Sequence, residues 1–377
     1  MPEHYQHLGV FSDWVAAARE KQALFPIAAP GAQTQALIRE ALGFCHGDEN
    51  PMEVKIESKW EKDGVSGEEV SWLVGFGPRT HAYVLKPANA KGALPGIVAL
   101  HDHSDFKFYG KEKIADGPQE TLSVLNDFRK VPYGGRAYTN ALAREGFVVL
   151  VHDVFLWGSR RFPLETMLDM MGSKTADLLR ANQTSDEVEI YNNAAYFHEH
   201  WVSKYCNILG TNMAGVVAFE DRVALNYLLS RADVDAERAG CIGLSGGGNR
   251  AALLTATHDK IRAAVIIGLM TTYPALLDHN MSHTWMLFPF GWSRHGDWPD
   301  IAASRAPLPL LVQYDMEDDL FTKDGMREAH MRLQEHYWNT GKPDAYTGQF
   351  YPGPHKFDLE MQSVAFDWLK EQLSIAK

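Results

Sequence analysis

The sequence predicts an α/β protein whose mostly parallel sheet is covered by helices on both faces. Three observations carry this reading. Short continuous apolar runs at 96–100 and 147–151 suit strands buried on both sides. Segments with apolar residues at i, i+3, i+4 and i+7 alternate with those runs. Gly- and Pro-containing turns separate the two kinds of segment. Strands alternating with helices build parallel sheets.

Taken in order, residues 10–45 read as helical, with Trp14, Ala17 and Leu24, then Leu37, Ile38, Ala41 and Leu42 at helical spacing. From 53 to 87 the pattern becomes alternating. VKIESKW, VSWLVGF and HAYVLKP, split by KDG and GPR turns, predict an antiparallel meander. A strand at 96–100, a helix at 138–144 and a strand at 147–151 follow. Residues 154–208 are rich in Met, Trp, Tyr and His and too long for an ordinary connection, so they predict a cap insertion with its own helices. A helix at 212–231 carries Val216, Val217, Val223, Ala224, Tyr227 and Leu228 on one stripe. Strands at 239–244 and 263–268 flank a helix at 249–257, and a second aromatic excursion occupies 271–300. The chain then reads strand 309–314, helix 325–337, short strand 349–351 and helix 358–373. The expected organisation is an N-terminal helical extension at 1–50 and a main domain at 51–377, with the cap at about 154–208 and the excursion at about 271–300.

The chain has 377 residues, enough for two ordinary domains or one elaborated one. Its hydrophobic fraction of 45% and charged fraction of 22% are those of a globular protein, which excludes disordered, collagen-like and long coiled-coil chains. The net charge of −12 argues against a nucleic-acid partner and against an anionic membrane surface. No apolar stretch approaches membrane-spanning length, and the first residues show no basic segment followed by an apolar one, so no secretory leader is expected. Three widely spaced cysteines, Cys45, Cys206 and Cys241, imply a reducing compartment, the cytoplasm, and no disulfide framework. Neither CxxC nor HExxH occurs, and no metal or other cofactor is expected.

In parallel sheets ligands bind at the carboxyl ends of the strands. There, after the strand at 239–244, stands Gly243-Leu244-Ser245-Gly246-Gly247. This fits G-x-S-x-G with a strand before it and a helix after it. A sharp turn strains the serine backbone and crowds the positions two residues away, which only glycine tolerates. A serine nucleophile needs a base, and the base an orienting carboxylate. The acid should precede the histidine. Asp315-Met316-Glu317-Asp318-Asp319 follows the strand at 309–314, with Asp318 the first choice and Asp319 the second. His355 lies in Pro352-Gly353-Pro354-His355 before the last helix. An oxyanion needs two amide donors. The N–H of Gly246 is one, and that of His103, in His101-Asp102-His103-Ser104-Asp105, is the other. A metal site is the rival reading of that loop.

HDHSDFKFYGKEK at 101–113, VHDVFLWGSRRF at 151–162, Asp221-Arg222, GLSGGGNRAA at 243–252, VQYDMEDDLFTKDGM at 312–326 and YPGPHKF at 351–357 give the chain its resemblance. Over roughly residues 50–377 it resembles the α/β-hydrolase superfamily, within it the dienelactone-hydrolase and acetyl-xylan-esterase-like branch of bacterial esterases. The resemblance implies Ser245 as nucleophile, His355 as base, Asp318 as its orienter, and the Gly246 and His103 amides as oxyanion hole. Two departures stand out. Dienelactone hydrolases proper carry cysteine where Ser245 stands, and the esterases usually carry glycine where Asp102 stands.

Pockets are mostly apolar with a few orienting polar groups. Trp157, Trp201, Tyr205, Trp285 and Met286 are the candidates for such walls, drawn from the aromatic, methionine and histidine side chains of the segments 154–208 and 271–300. Arg160 and Arg161 could hold a substrate carboxylate, but a surface pair is the favoured reading. The expected activity is hydrolysis of a small-molecule carboxylic ester through an acyl-enzyme. The alternatives are a thioester, lactone or short peptide bond cut by the same triad, or a hydrolase-fold protein that binds without catalysis. A small-molecule ester is the expected partner, nucleic acid and membrane are not, and a homodimer stays open.

Overall fold

The computed structural model describes residues 5–45, 47–181 and 186–374. Nine strands form one sheet in the order β1–β2–β3–β5–β4–β6–β7–β8–β9. They are β1 Met52–Lys62, β2 Val65–Leu73, β3 Thr80–Pro87, β4 Leu94–Leu100, β5 Val148–His152, β6 Val234–Leu244, β7 Ile261–Ile267, β8 Leu310–Asp315 and β9 Tyr346–Tyr351. The meander β1–β2–β3 is antiparallel and joins β5 antiparallel, as Tyr83 opposite Val151 shows. All pairs from β5 through β4, β6, β7 and β8 to β9 are parallel.

The helices are α1 Trp14–Lys21, α2 Ala32–Leu42, α3 Ser123–Arg129, α4 Tyr138–Arg144, α5 Leu164–Ala181, α6 Glu187–Ile208, α7 Met213–Leu229, α8 Gly246–Thr257, α9 Tyr273–His279, α10 Trp298–Ala303, α11 Lys323–Asn339 and α12 Leu359–Gln372. The period of two along each strand splits the core into two layers. Val98 and Leu100 of β4, Cys241 of β6 and Ala264 and Ile266 of β7 face α2, α7, α8, α10 and α11. Their neighbours Ile97, Ala99, Ile242, Val265 and Ile267 face α4 and α12. Both faces are covered, which is why these strands read as unbroken apolar runs.

Some expected bounds shift. The helix expected from 249 starts at Gly246, directly after the serine, and β6 starts at Val234 rather than 239. The first 45 residues are not one helical stretch. A 3-10 turn and α1 are separated from α2 by an extended segment containing Pro26 and Pro30, and Trp14 is exposed rather than buried. The N-terminal segment packs on its own chain. Phe25 N donates to Ser293 O at 2.7 Å, Gly31 N to Ser304 O at 2.9 Å, and Asn212 Nδ2 to Ala41 O at 2.7 Å. Among the described residues no helix is long and apolar enough to cross a membrane.

Beneath the β6–α8 junction lies a charged cluster. Asp221 of α7 accepts Arg250 Nη2 at 2.7 Å and His152 Nε2 at 2.9 Å, and Arg250 Nη1 donates to His101 O at 3.2 Å. Burial works against the ionised Asp221, but the Arg250 guanidinium holds its carboxyl below the usual range. Removing one partner leaves an uncompensated buried charge. Asp221→Ala is therefore expected to lower unfolding free energy by about 3–5 kcal/mol in a urea titration.

Candidate active site

The site residues hang from the carboxyl ends of four parallel strands: Ser245 after β6, His103 after β4, Asp318 after β8 and His355 after β9. Parallel pairing alone places these four ends on one edge of the sheet. Ser245 has φ 58° and ψ −122°, a left-handed conformation that costs a non-glycine residue about 1–3 kcal/mol. Its N–H donates to Ile267 O of β7 at 2.8 Å. A Cβ on Gly243 would strike the backbone of Gly247, and one on Gly247 the carbonyl of Leu100. The glycines two residues either side of Ser245 are thus required by close packing.

The loop after β8 is tied to the loop after β9: Met316 N donates to Tyr351 O at 2.9 Å and Glu317 N to Gly353 O at 3.1 Å. This brings Asp318 Oδ2 to 2.6 Å from His355 Nδ1, while Leu320 N fixes Asp318 Oδ1 at 2.8 Å. Asp319, the second choice, points its side chain outward, and its carbonyl accepts from His279. His355 Nε2 is shielded from solvent and has no hydrogen-bond partner among the described residues. Burial alone would depress the His355 pKa. The bond from Asp318 and the charges of Asp318, Asp315 and Asp102 outweigh it and raise the pKa above its ordinary 6.5. Asp315 is a further acid in the cluster, its carboxyl pushed up to about 7 mainly by burial.

The amide of His103 lies 2.7 Å from where a Cβ on Gly246 would stand, so the two backbone segments face each other at the start of α8. Asp102, at the position where glycine was expected, turns away from the cleft. Lys113 Nζ bonds its Oδ2 at 3.0 Å and its carbonyl at 2.5 Å, and Tyr133 OH bonds its Oδ1.

No family model matches the chain. A curated relative, "Putative hydrolase YtaP" of Bacillus subtilis (strain 168), is 24% identical over 267 residues, 70% of this chain and 74% of that protein. A glucuronoyl esterase from Solibacter usitatus superposes with TM-score 0.61 at 16% identity, covering 90% of this chain and 91% of its own. Acetyl xylan esterase 1 from Thermoanaerobacterium sp. JW/SL YS485 gives TM-score 0.57 at 13% identity, covering 93% and 96%. The chain has the α/β-hydrolase fold.

Within this α/β-hydrolase sheet, Ser245, Gly246, His103 and His355 line one cleft of about 220 Å³. Its other walls include Tyr196, Asn249, Leu269, Ser282, His283 and Leu287. None of the five expected wall residues lines it, because each spends its surface elsewhere. Trp157 is buried against the His101 and His103 rings and donates Nε1–H to His103 O at 3.3 Å. Met286 is buried behind Gly246, with its Cε 3.2 Å from the position of a Cβ there. Trp201 packs between cap helices, Tyr205 is exposed, and Trp285 donates to His200 Nδ1 at 2.9 Å. The arginines also differ from the surface reading. Arg160 is buried on Glu220 at 2.5 Å, and Arg161 lies over the Phe108 ring at 4.2 Å.

The metal reading of His101-Asp102-His103 meets three divergent side chains: His101 Nδ1 on the Asp102 carbonyl, Asp102 on a lysine, His103 on Glu199. Among the described residues Asp315, Asp318 and His355 have ligand atoms close enough to share an ion, but the 2.6 Å bond between Nδ1 and Oδ2 already uses two of them. His283 comes from the segment expected to cover the site, whereas Asn249 and Ser282 carry no spacing signal that sequence could reveal. His283 stacks on Phe321 at 4.8 Å and bonds Leu320 O at 3.0 Å.

The His355 imidazole should titrate above pH 6.5 in an NMR pH series. Asp318→Asn removes the raising charge, so its midpoint should fall.

Proposed function

We propose that this chain is a serine hydrolase that cleaves carboxylic esters of small molecules through an acyl-enzyme. The carrying observation is the order of contacts at His355: Nδ1 on buried Asp318 at 2.6 Å, Nε2 without a partner among the described residues, and Ser245 on the same cleft. Asp318 fixes the tautomer with the proton on Nδ1, which leaves the Nε2 lone pair to accept. His355 takes the Ser245 hydroxyl proton as Oγ attacks the ester carbonyl. The tetrahedral oxyanion is met by the N–H groups of Gly246 and His103. Collapse breaks the ester bond, and the leaving alkoxide takes the proton from His355. Water, deprotonated by the same nitrogen, then frees the acid and restores Ser245.

The structural neighbours named as esterases support ester cleavage in particular. The cleft of about 220 Å³ lies below the ~300–1,000 Å³ of drug-sized ligand pockets. Leu269 and Leu287 offer apolar surface for a short acyl group.

Three outcomes follow in p-nitrophenyl ester assays. Ser245→Ala should lower kcat on the acetate by about 10⁴-fold or more. Acetate should be turned over at least about tenfold faster than octanoate, given the small cleft. Since the neutral imidazole is the active form and its pKa is raised, kcat/KM should fall as pH drops, with a midpoint above 6.5.

A further inference from the structure

Glu199 of α6 is a buried cap residue that the reaction above does not use, yet both its oxygens are fully engaged. Oε2 accepts His103 Nε2–H at 2.8 Å and is bonded by Lys107 Nζ. Oε1 accepts the Thr284 hydroxyl at 2.8 Å and the Trp285 N–H at 3.0 Å. These partners come from two segments, one of which places His103 and the other Thr284 on the cleft. His103 and Lys107 belong to the loop after β4, and Thr284 and Trp285 to the excursion before α10. One carboxylate therefore pins both walls to the cap helix. The wall it pins through His103 is the one whose amide faces Gly246.

We propose that Glu199 is a positioning residue for the oxyanion hole: it holds the His103 imidazole so that the His103 amide stays aimed at the reacting carbonyl, and it makes correct seating of the cap a condition for that aim. The inference rests on the ester-hydrolase reading of the same cleft. Charge supports it. Burial would raise the Glu199 pKa, but Lys107 and His103 hold it well below the usual carboxylate range, so the anion persists.

The carboxylate is specific to the task. Its four partners all present donors: the Lys107 ammonium, the Trp285 and His103 N–H groups, and the Thr284 hydroxyl. A glutamine of equal size must turn its NH₂ toward one pair, setting donor against donor. The misfit falls either on the His103 side or on the Thr284 side, and both disturb the wall geometry. Removing one oxyanion donor outright costs about 10²–10³ in kcat, so misaiming one should cost part of that. A donor that acts on the transition state leaves KM little changed.

The test compares wild type, Glu199→Gln and Glu199→Asp on p-nitrophenyl acetate, with inhibition by a short alkyl boronic acid as a mimic of the tetrahedral state. Glu199→Gln should lower kcat about 10–100-fold with KM within about threefold, and boronate affinity should fall in parallel with kcat/KM. Glu199→Asp keeps the charge beside Lys107 but is one methylene too short to serve both walls. It should lose about 3–10-fold in kcat, and it decides the matter if the glutamine variant does not fold. Unchanged kcat in either folded variant, or a loss confined to KM, would overturn the proposal. Ser245→Ala, run alongside, separates the two readings. If that variant keeps wild-type activity, the serine mechanism itself fails and the proposal falls with it. If it is inactive while the Glu199 variants are normal, only the role of Glu199 is lost.

Discussion

The backbone at Ser245 is bent into a conformation that a serine adopts only under compulsion, and the rest of the site is arranged around that bend. Strand β6 delivers the residue from one side and α8 departs from the other, with no linker between them. The strain, about 1–3 kcal/mol, persists because the flanking segments are over-determined. Strand β6 is paired on both edges, α8 is buried along its whole length, and the Ser245 amide is held by β7. Glycine at 243 and 247 lets strand, helix and the end of β4 meet without side chains between them. The buried Arg250–Asp221 pair anchors α8 to α7 just below.

Around that fixed point, each partner is placed by a short reach from a neighbouring strand end. The β8 and β9 loops are bonded to each other where they present Asp318 and His355, which holds the carboxylate against the imidazole. The β4 loop is clamped from below by Lys113 and Tyr133 on Asp102, and from above by Glu199 on His103. Asp102 is buried with Lys113, whose charge offsets its own, and with Tyr133, whose hydroxyl donates to its Oδ1. The sheet thus holds Ser245, and the cap reaches the loop opposite it through the bond from His103 to Glu199.

The parts legible in the sequence are those governed by local rules. Ser245 announced itself because its turn imposes glycines at fixed offsets, and chain order then pointed to Asp318 and His355. Strand and helix alternation, and the two-sided burial of β4 and β7, were equally plain. The walls of the cleft were not. Trp157, Trp285 and Met286 look like pocket residues, but Trp157 and Met286 are buried against the loop after β4 and the start of α8, and Trp285 is bonded to His200. Polar residues at 249 and 282 have no periodicity to betray them. Arg160 pairs with Glu220, 60 positions away, and Glu199 meets Thr284, 85 positions away. Such contacts exist only once the chain has folded.

The proposed reaction stands or falls on acylation of Ser245. The most direct measurement is a rapid-quench experiment with p-nitrophenyl acetate followed by peptide mass spectrometry. The expected result is a burst of nitrophenol stoichiometric with enzyme and one acetyl group on the peptide carrying Ser245, with the adduct persisting longer in His355→Ala. Turnover of the ester with no adduct, or with the acetyl group on another residue, would contradict it.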